Sequence, residues 1–187
     1  MLRVITGSLK GKKLYSLEGE ATRPTSDRIK GAMFSAIQFD IENRRVLDLF
    51  AGTGQLGLEA LSRGAESVTF VDMEREAMEV VKRNTTLCGV FEKCRYSVAD
   101  WRNYIRKAQE RDRYDLVFID PPYAMQCCAD AVRRLRDSGL IIPGAILVIE
   151  SGEEPVDFTA PEFSDFEIMK STAYGKKTTV NILMYKG

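Results

Sequence analysis

From residue 45 onward, short β-branched apolar runs alternate with longer stretches in which apolar residues recur at helical spacing. The runs that we predict to be strands lie at residues 45–50, 67–71, 94–98, 116–120 and 145–150. The stretches with helical periodicity lie near residues 55–63, 75–88, 101–111 and 125–138. Glycines stand where helix C-caps belong, at Gly64, Gly89 and Gly139. This alternation predicts an α/β fold with a doubly wound, parallel sheet.

The last two predicted strands, at residues 166–171 and 178–185, are joined by only a short link through Tyr174-Gly175-Lys176-Lys177. A parallel connection needs a crossover of about a dozen residues or more, so this link predicts an antiparallel C-terminal hairpin. The seven strands then form one mostly parallel, Rossmann-like sheet. Such a sheet is typical of methyltransferases and unusual among dinucleotide-dependent dehydrogenases.

The N-terminal residues have a different pattern. Residues 3–7 and 13–17, which flank Gly11, predict a short β-hairpin with a loose polar turn. The apolar residues that share one face of the following helix are Ile29, Met33, Phe34 and Ile37. We therefore expect a basic β-hairpin arm at residues 1–22 and an α/β domain at residues 23–187. The arm is expected to lie outside the sheet and to bury little of itself.

The charges are balanced overall but unevenly distributed. The formal net charge of the 187 residues is zero, which on its own argues weakly against nucleic-acid binding. Residues 1–30, however, carry seven basic and three acidic side chains, a net charge of +4, which leaves −4 for the rest. Both a polyanion contact and a merely solvated hairpin remain open interpretations of this basic segment.

Composition excludes several kinds of chemistry. The chain has no histidine, which removes Ser-His-Asp and Cys-His catalysis. Its four cysteines show no Cys-x-x-Cys spacing, so we expect no metal site. No apolar run approaches the roughly 18 residues that cross a bilayer, so we expect no membrane association. The N-terminus lacks a signal-peptide pattern, so we expect a cytoplasmic protein.

A glycine-rich turn follows the first core strand and precedes a helix, which is the context of a nucleotide-like cofactor. Glycines let the backbone pass close to a ligand, and the free N–H groups at the helix start favour an anion such as a methionine carboxylate. Asp48 would repel a dinucleotide phosphate but could attract the ammonium of a methionine moiety, directly or through water. This favours S-adenosylmethionine as the cofactor. The candidate contacts are Asp48, Ala51, Gly52, Thr53 and Gly54.

Further cofactor candidates follow the next two strands. Asp72 ends the second strand, where an acidic side chain can accept both ribose hydroxyls. Asp100 follows the third strand and is a candidate for the adenine amino group, with a helix N-cap as the alternative. Trp101 is also a cofactor candidate, although we favour a core position over adenine stacking.

The spacing Gly52-x-Gly54-x-x-Gly57 also matches the dinucleotide fingerprint, so an NAD-dependent oxidoreductase is a competing interpretation. The chain has no Tyr-x-x-x-Lys pair and no catalytic histidine, and its fourth strand ends in a motif that hydride transfer does not need. These observations favour methyl transfer.

That motif is Asp120-Pro121-Pro122-Tyr123, at the carboxyl end of the fourth strand. An exocyclic base nitrogen is a poor nucleophile because its lone pair is delocalised into the ring. Asp120 and the carbonyl of Pro121 can accept hydrogen bonds from the two N–H groups of this nitrogen and orient its lone pair toward a sulfonium methyl group. The prolines stiffen the turn, and Tyr123 offers a face on which an extruded base can stack. All four residues are candidate catalytic residues.

The chain resembles the RsmD-type 16S ribosomal RNA guanine-N2 methyltransferases over nearly its whole length. The shared motifs include Arg3-Val4-Ile5-x-Gly7, Lys10-Gly11-Lys12-Lys13-Leu14, Arg23-Pro24-Thr25, Leu47-Asp48-Leu49-Phe50-Ala51-Gly52-Thr53-Gly54, Leu58-Glu59-Ala60-Leu61-Ser62-Arg63-Gly64-Ala65, Asp120-Pro121-Pro122-Tyr123 and Tyr174-Gly175. The chain departs from the family pattern at Gly31 and Asp72, where glutamate is common. Neither departure affects the cofactor interpretation.

The resemblance implies an S-adenosylmethionine-dependent methyltransferase domain at residues 23–187 that methylates one guanine of 16S ribosomal RNA. The expected partner is the small ribosomal subunit or its assembly intermediate, and the expected oligomeric state is a monomer. The alternatives are an adenine-N6 methyltransferase on DNA or RNA, since these share the Asp-Pro-Pro-Tyr motif, and a noncatalytic RNA-binding assembly factor. The intact motif speaks against the last.

Basic side chains near both chain ends are candidate RNA contacts: Lys10, Lys12, Lys13, Arg23, Arg28, Lys176 and Lys177. If the sixth strand is parallel and the seventh antiparallel, the link with Lys176 and Lys177 emerges at the carboxyl edge, beside Asp120. We expect the N-terminal residues of this set to extend the same basic surface.

Overall fold

A computed structural model describes residues 2–17, 25–108, 112–152 and 155–187. The strands in these ranges are β1 (Arg45–Asp48), β2 (Ser67–Asp72), β3 (Cys94–Val98), β4 (Tyr114–Ile119), β5 (Ile141–Ser151), β6 (Phe166–Tyr174) and β7 (Thr178–Tyr185). The α-helices are α1 (Thr25–Ala36), α2 (Gln55–Ser62), α3 (Arg75–Cys88), α4 (Trp101–Lys107) and α5 (Cys128–Asp137). None of the helices in the described ranges is long and apolar enough to cross a membrane.

The seven strands form one sheet in the order β3-β2-β1-β4-β5-β7-β6. The pairs from β3 to β5 are parallel, whereas β7 runs antiparallel to both β5 and β6. The predicted mostly parallel sheet with an antiparallel C-terminal hairpin is confirmed. The chain order reverses between β1 and β4, and ligands bind outside the carboxyl ends of the strands at such a point.

Side chains alternate across the pleat of each strand and supply two separate cores. Phe118 of β4 and Val148 of β5 pack on the face that carries α1, α2 and α3. Their chain neighbours Val117 and Leu147 pack on the opposite face, which carries α4 and α5. We call these the α1 face and the α5 face. Burial on both faces explains the apolar runs from which the strands were predicted.

Several predicted boundaries differ from the structure, and the causes are local. β1 ends at Asp48, two residues before its predicted end, because the chain leaves the sheet there to form the glycine-rich turn. The helix predicted near 125–138 begins only at Cys128. A single 3-10 turn, Tyr123–Met125, comes first, and Gln126 after it has a left-handed backbone that interrupts helical geometry.

The N-terminal segment is docked on the sheet's helices, so the expectation that it would bury little of itself is wrong. Leu2, Val4 and Leu14 are buried in the core of the α1 face. The backbone N–H groups of Ile5 and Thr6 donate to the fully buried Glu59 carboxylate of α2, at 2.7 and 3.0 Å. In place of the predicted β-hairpin, the described residues form an isolated antiparallel β-bridge between Arg3 and Lys13. The boundary proposed at residue 22 lies outside the described residues.

A second buried side chain ties this segment to the glycine-rich turn. Asn84 of α3 accepts the backbone N–H of Tyr15 at 2.7 Å and donates to the carbonyl of Tyr15 at 3.1 Å. Its amide also donates to the carbonyl of Thr53 at 2.9 Å. One fully buried asparagine thus fixes residues 15 and 53 relative to each other.

Gly57→Ala should destabilise the fold, because a Cβ at Gly57 would lie 2.4 Å from the Phe70 ring and 2.8 Å from Val68. We expect the free energy of unfolding to fall by about 1–3 kcal/mol, the usual cost of overpacking. Gly31→Ala is the matched control, since a Cβ there meets nothing within 4 Å in a helix. It should stabilise by about 0.5–1 kcal/mol. Urea unfolding of both variants checks the contrast, and equal midpoints would contradict it.

Candidate active site

A cavity of about 600 Å³ opens at the carboxyl edge of the sheet, between the turn after β1 and the motif after β4. Its lining includes five of the cofactor candidates from the sequence and the whole Asp-Pro-Pro-Tyr motif. These are Ala51, Gly52, Thr53, Asp72 and Trp101, with Asp120, Pro121, Pro122 and Tyr123. A volume of this size falls within the range of small-molecule sites. The structure therefore brings the two predicted halves of the site together.

Left-handed backbone conformations shape the turn after β1. Gly52 has φ +52° and Gly54 has φ +78°, and the second of these caps the N-terminus of α2. A Cβ at Gly52 would meet nothing within 4 Å, so the cavity side of the turn is open to a ligand. Glycine is required there by backbone conformation, and the open space allows a ligand to approach the main chain closely.

Asp72 holds this turn in place from the end of β2. Its Oδ2 accepts the N–H of Gly52 at 2.8 Å, and its Oδ1 accepts the N–H of Glu74 at 2.9 Å. A carboxylate has about four acceptor positions, so Asp72 can make these contacts and still accept ligand hydroxyls. Its position in the cavity lining agrees with the predicted ribose contact, which remains a prediction.

Asp48 lies beneath the turn and does not line the cavity. It is 1% exposed, and its Oδ2 accepts the N–H of Gly57 in the first turn of α2 at 3.1 Å. Burial raises the pKa of this carboxyl from 3.8 to about 7, and the hydrogen bond from Gly57 opposes the shift only in part. Asp48 thus helps to attach α2 to β1. A contact between Asp48 and a methionine ammonium remains a prediction.

Asp100 and Trp101 have different positions although they are adjacent. Asp100 is the N-cap of α4, with Oδ1 accepting the N–H groups of Arg102 and Asn103 at 3.0 and 3.2 Å. It is not part of the cavity lining, whereas the buried Trp101 is. The indole N–H of Trp101 has no hydrogen-bond partner among the described residues. This N–H is itself covered by protein atoms, so Trp101 lines the cavity through its other atoms.

The Asp-Pro-Pro-Tyr motif begins immediately after β4, and the hydroxyl of its last residue, Tyr123, anchors it. Tyr123 donates to Glu150 Oε1 at 2.6 Å, and its oxygen lies 2.7 Å from Thr178 Oγ1. Burial and the hydrogen bond to Glu150 raise the pKa of Tyr123 to about 12, so the phenol stays protonated at neutral pH. A Cβ at Gly152 would lie 3.0 Å from Cβ of Tyr123, so the glycine leaves room for this side chain.

Sequence reasoning missed Glu150 and Thr178, which do not line the cavity themselves but hold Tyr123, a residue of its lining. Glu150 lies at the carboxyl end of a predicted strand, the position from which the other candidates were selected, so this signal was present. Thr178 directly follows Lys177, but its contact with Tyr123 depends on the antiparallel pairing of β5 and β7. The pairing of distant strands is not readable from local pattern.

The basic candidates do not share one location. Lys176 and Lys177 are exposed between β6 and β7, next to the Thr178 that contacts Tyr123. The turn that carries Lys10 contacts Ser62 at the C-terminal end of α2, whereas the glycine-rich turn after β1 precedes the N-terminal end of that helix. A basic surface that extends from the β6–β7 link to Lys10 remains a prediction. Lys12, Lys13 and Arg28 are exposed, and Arg23 lies outside the described residues.

The chemistry of the cavity fits the predicted cofactor. It combines open main chain at Gly52, an acidic acceptor at Asp72 and an apolar wall that includes Leu56 and Ala77. A ligand with ribose hydroxyls, a flat apolar ring and a charged tail matches these features.

Known proteins resemble the chain in sequence and in structure. The model of the family described as "Conserved hypothetical protein 95" matches residues 2–183. Ribosomal RNA small subunit methyltransferase D from Haemophilus influenzae is 32% identical over 154 residues, which cover 82% of this chain and 80% of that protein. Its Escherichia coli K12 counterpart is also 32% identical over 154 residues, 82% of this chain and 76% of that protein.

Among solved structures, the Escherichia coli protein yhhF, described as a methyltransferase, superposes with a TM-score of 0.87 at 28% identity. The match covers 99% of this chain and 98% of that one. A Haemophilus influenzae protein described as a methylase has a TM-score of 0.83 at 25% identity. That match covers all of this chain and 99% of the other.

The raised pKa of Asp48 predicts a pH-dependent contribution to stability. Between about pH 4 and pH 7 the folded protein retains a proton on Asp48 that the unfolded chain has lost, so this contribution decreases as the pH rises. Relative to Asp48→Asn, the wild-type free energy of unfolding should fall by roughly 1–3 kcal/mol from about pH 5 to about pH 8. Urea unfolding across this range measures the difference, and parallel pH curves would contradict the assignment.

Proposed function

The chain belongs to the Conserved hypothetical protein 95 family, and on that premise we propose that it transfers a methyl group from S-adenosylmethionine to the exocyclic N2 of a guanine in 16S ribosomal RNA. The observation that carries the proposal is the single cavity shared by the cofactor turn and the Asp-Pro-Pro-Tyr motif. A methyl donor bound by the first would face a base nitrogen bound by the second.

Different residues of the cavity would hold different parts of the cofactor. Asp72 would accept the ribose hydroxyls while its two present contacts keep the glycine turn in shape. The open main chain at Gly52 and the helix start at Gln55 would receive the methionine carboxylate, since helix N-termini favour anions. S-adenosylmethionine supplies an electrophilic methyl group when bound. Asp48 and Asp100 support the site through α2 and α4 in the present geometry.

Asp120 and Pro121 would prepare the nucleophile. Both the Asp120 carboxylate and the Pro121 carbonyl can accept N–H groups of the base amine, which concentrates the lone pair on the nitrogen. Pro121 is buried, and the two prolines limit backbone motion around these acceptors. Preorganised acceptors stabilise a developing charge without reorganisation during the reaction. Tyr123, held by Glu150 and Thr178, would present its face to the extruded base.

The expected partner is the small ribosomal subunit or an assembly intermediate of it, and we propose that the protein works there as a cytoplasmic monomer. The relatives named as small-subunit methyltransferases support the choice of substrate. A dinucleotide oxidoreductase would need hydride chemistry for which this cavity has no matching motif, and a noncatalytic assembly factor would not need the Asp120 motif.

Methyl transfer from tritiated S-adenosylmethionine tests the proposal directly. The substrates are small subunits, free 16S RNA and DNA, and each product is digested for nucleoside analysis. We expect tritium in N2-methylguanosine from ribosomal RNA. Label in N6-methyladenosine or in DNA would replace the proposal with the adenine alternative, and no transfer to any substrate would contradict both.

Substitution of Asp72 and of Asp120, two carboxylates of the cavity lining, should separate cofactor binding from methyl transfer. Asp120→Ala should retain cofactor affinity but lower transfer by about two to four orders of magnitude, because it removes an acceptor used in the transition state. Asp72→Ala should raise the cofactor dissociation constant roughly tenfold or more, through lost charge-assisted hydrogen bonds. Calorimetry and single-turnover transfer measure the two effects, and a reversal of the pattern would contradict the assigned roles.

Lysine substitutions should reveal which basic residues contact RNA. Replacing Lys10, Lys12 and Lys13 together with alanine should weaken RNA binding and reduce the salt slope by roughly one unit per lost phosphate contact, without changing base choice. The double variant Lys176→Ala/Lys177→Ala is measured for comparison, because these two lysines lie in the link next to Thr178, which contacts Tyr123. Affinity and methylation are measured across a salt series. An unchanged slope and full activity in the triple variant would leave the N-terminal segment with a purely structural role.

A further inference from the structure

Glu150 lies beside the catalytic motif at the carboxyl edge of the sheet. The last paired residues of β4 and β5 are Ile119 and Ile149, so Asp120 and Glu150 follow at the same level on neighbouring strands. Glu150 is half-buried at the end of β5, and its Oε1 accepts the Tyr123 hydroxyl at 2.6 Å. Two carboxylates therefore flank the side chain on which a base is expected to stack.

The pleat places both carboxylates on one side of the sheet. Val148 and Val180 belong to the α1 face, and Glu150 is two residues beyond Val148 and paired with Val180. Asp120 is two residues beyond Phe118, which packs on the same face. Both carboxylate charges also act on the Tyr123 hydroxyl, which is consistent with this arrangement. Glu150 thus lies on the β5 side of Asp120, away from the turn after β1, and next to Tyr123, which lines the cavity although Glu150 does not.

The contact with Tyr123 fixes the position of Glu150. Tyr123 is in turn bounded by Thr178 at 2.7 Å and by Gly152. A carboxylate has two oxygens with about four lone-pair positions in total, and the Tyr123 hydroxyl donates to one of those oxygens, Oε1. A carboxylate can take part in several hydrogen bonds at once, and the contact with Tyr123 limits the directions from which a base N–H could approach Glu150.

The Watson–Crick edge of guanine matches two neighbouring acceptors. Guanine carries N–H donors at N1 and N2, whereas adenine has an acceptor at N1, which a carboxylate would repel. Flipped bases are selected through hydrogen bonds to this edge. Asp120 is expected to accept a hydrogen bond from the reacting 2-amino group. The neighbouring N1–H is then the donor that a second acceptor would bind.

We propose that Glu150 is a specificity-determining residue that accepts the N1–H of the target guanine, an inference that rests on the proposed function. Asp120 and Glu150 together then read the N2 and N1 donors of one base. The Asp-Pro-Pro-Tyr motif alone does not distinguish guanine from adenine, and Glu150 supplies that choice from the next strand. The Tyr123 hydroxyl sets the position of the carboxylate and thereby links base stacking to base selection.

Base analogues test this proposal at the Watson–Crick edge. The target nucleotide, located by the nucleoside analysis above, is replaced in the RNA by 2-aminopurine, which retains the 2-amino group but lacks both the N1 hydrogen and O6, so the dependence of the preference on Glu150 isolates the N1–H contact. Single-turnover transfer is measured for both RNAs. The wild-type protein should prefer guanine by roughly 10- to 100-fold, because a site built around a positioned acceptor rejects a substrate without the matching donor. Glu150→Ala should reduce this preference to about threefold or less.

Thr178→Val is the matched control, since it loosens Tyr123 by removing its other hydroxyl partner but leaves Glu150 in place. It should lower transfer to both RNAs by a similar factor and keep the guanine preference. Glu150→Gln retains a carbonyl acceptor for Tyr123 and for N1–H and should recover part of the preference. Circular dichroism and cofactor affinity verify that each variant is folded.

Two results would overturn the assignment of Glu150. One is an equal loss of transfer to both RNAs in Glu150→Ala, which would make Glu150 a positioning residue for Tyr123 alone. The other is a wild-type protein that does not discriminate between guanine and 2-aminopurine. Failure of the proposed function has a different signature, because label would then appear in adenine or in no nucleoside with any variant.

Discussion

Parallel pairing of β1 with β4 is the constraint on which the rest of the site depends. The two strands are distant in sequence, yet Val46, Leu47 and Asp48 lie opposite Leu116, Val117 and Phe118. Both strands end at the same edge, so the glycine turn after β1 and the Asp-Pro-Pro-Tyr motif after β4 open into one cavity. Helices that cover both faces of the sheet force the ligand to this edge, since the faces themselves are occupied by core side chains.

Buried polar side chains then hold the loops at this edge in defined shapes. Asp72 accepts a hydrogen bond from the Gly52 N–H of the turn itself, and Asp48 accepts one from the Gly57 N–H in the first turn of α2. Glu59 attaches the N-terminal segment to α2 and Asn84 attaches it to α3, and Asn84 also donates to the carbonyl of Thr53. The N-terminal segment is therefore continuous with the cofactor turn through buried hydrogen bonds. Loss of one partner in such a contact leaves an unsatisfied buried group, which is why these interactions resist local rearrangement.

Long-range hydrogen bonds also hold the Asp-Pro-Pro-Tyr motif, where the connecting group is the Tyr123 hydroxyl. Tyr123 joins the motif after β4 to the ends of β5 and β7, and the start of β7 follows the basic link with Lys176 and Lys177. RNA that contacts this link would lie close to the residues expected to hold the base. A net charge of zero is compatible with this arrangement, because local placement of a few lysines decides where a polyanion binds.

Local pattern was sufficient for the order of strands and helices, the antiparallel C-terminal hairpin and the two motifs that line the cavity. These follow from periodicity, from link length and from the positions of glycine and proline, all of which act over short stretches of chain. Asp48, Asp72 and Asp100 look alike in the sequence because each stands at or just beyond a strand end. Only the tertiary structure separates them, into a buried support, a residue of the cavity wall and a helix N-cap. The docking of residues 2–17 and the contacts of Tyr123 with Glu150 and Thr178 likewise depend on groups distant in sequence. Burial and long-range hydrogen bonds decide these positions, and they exist only after the sheet has assembled.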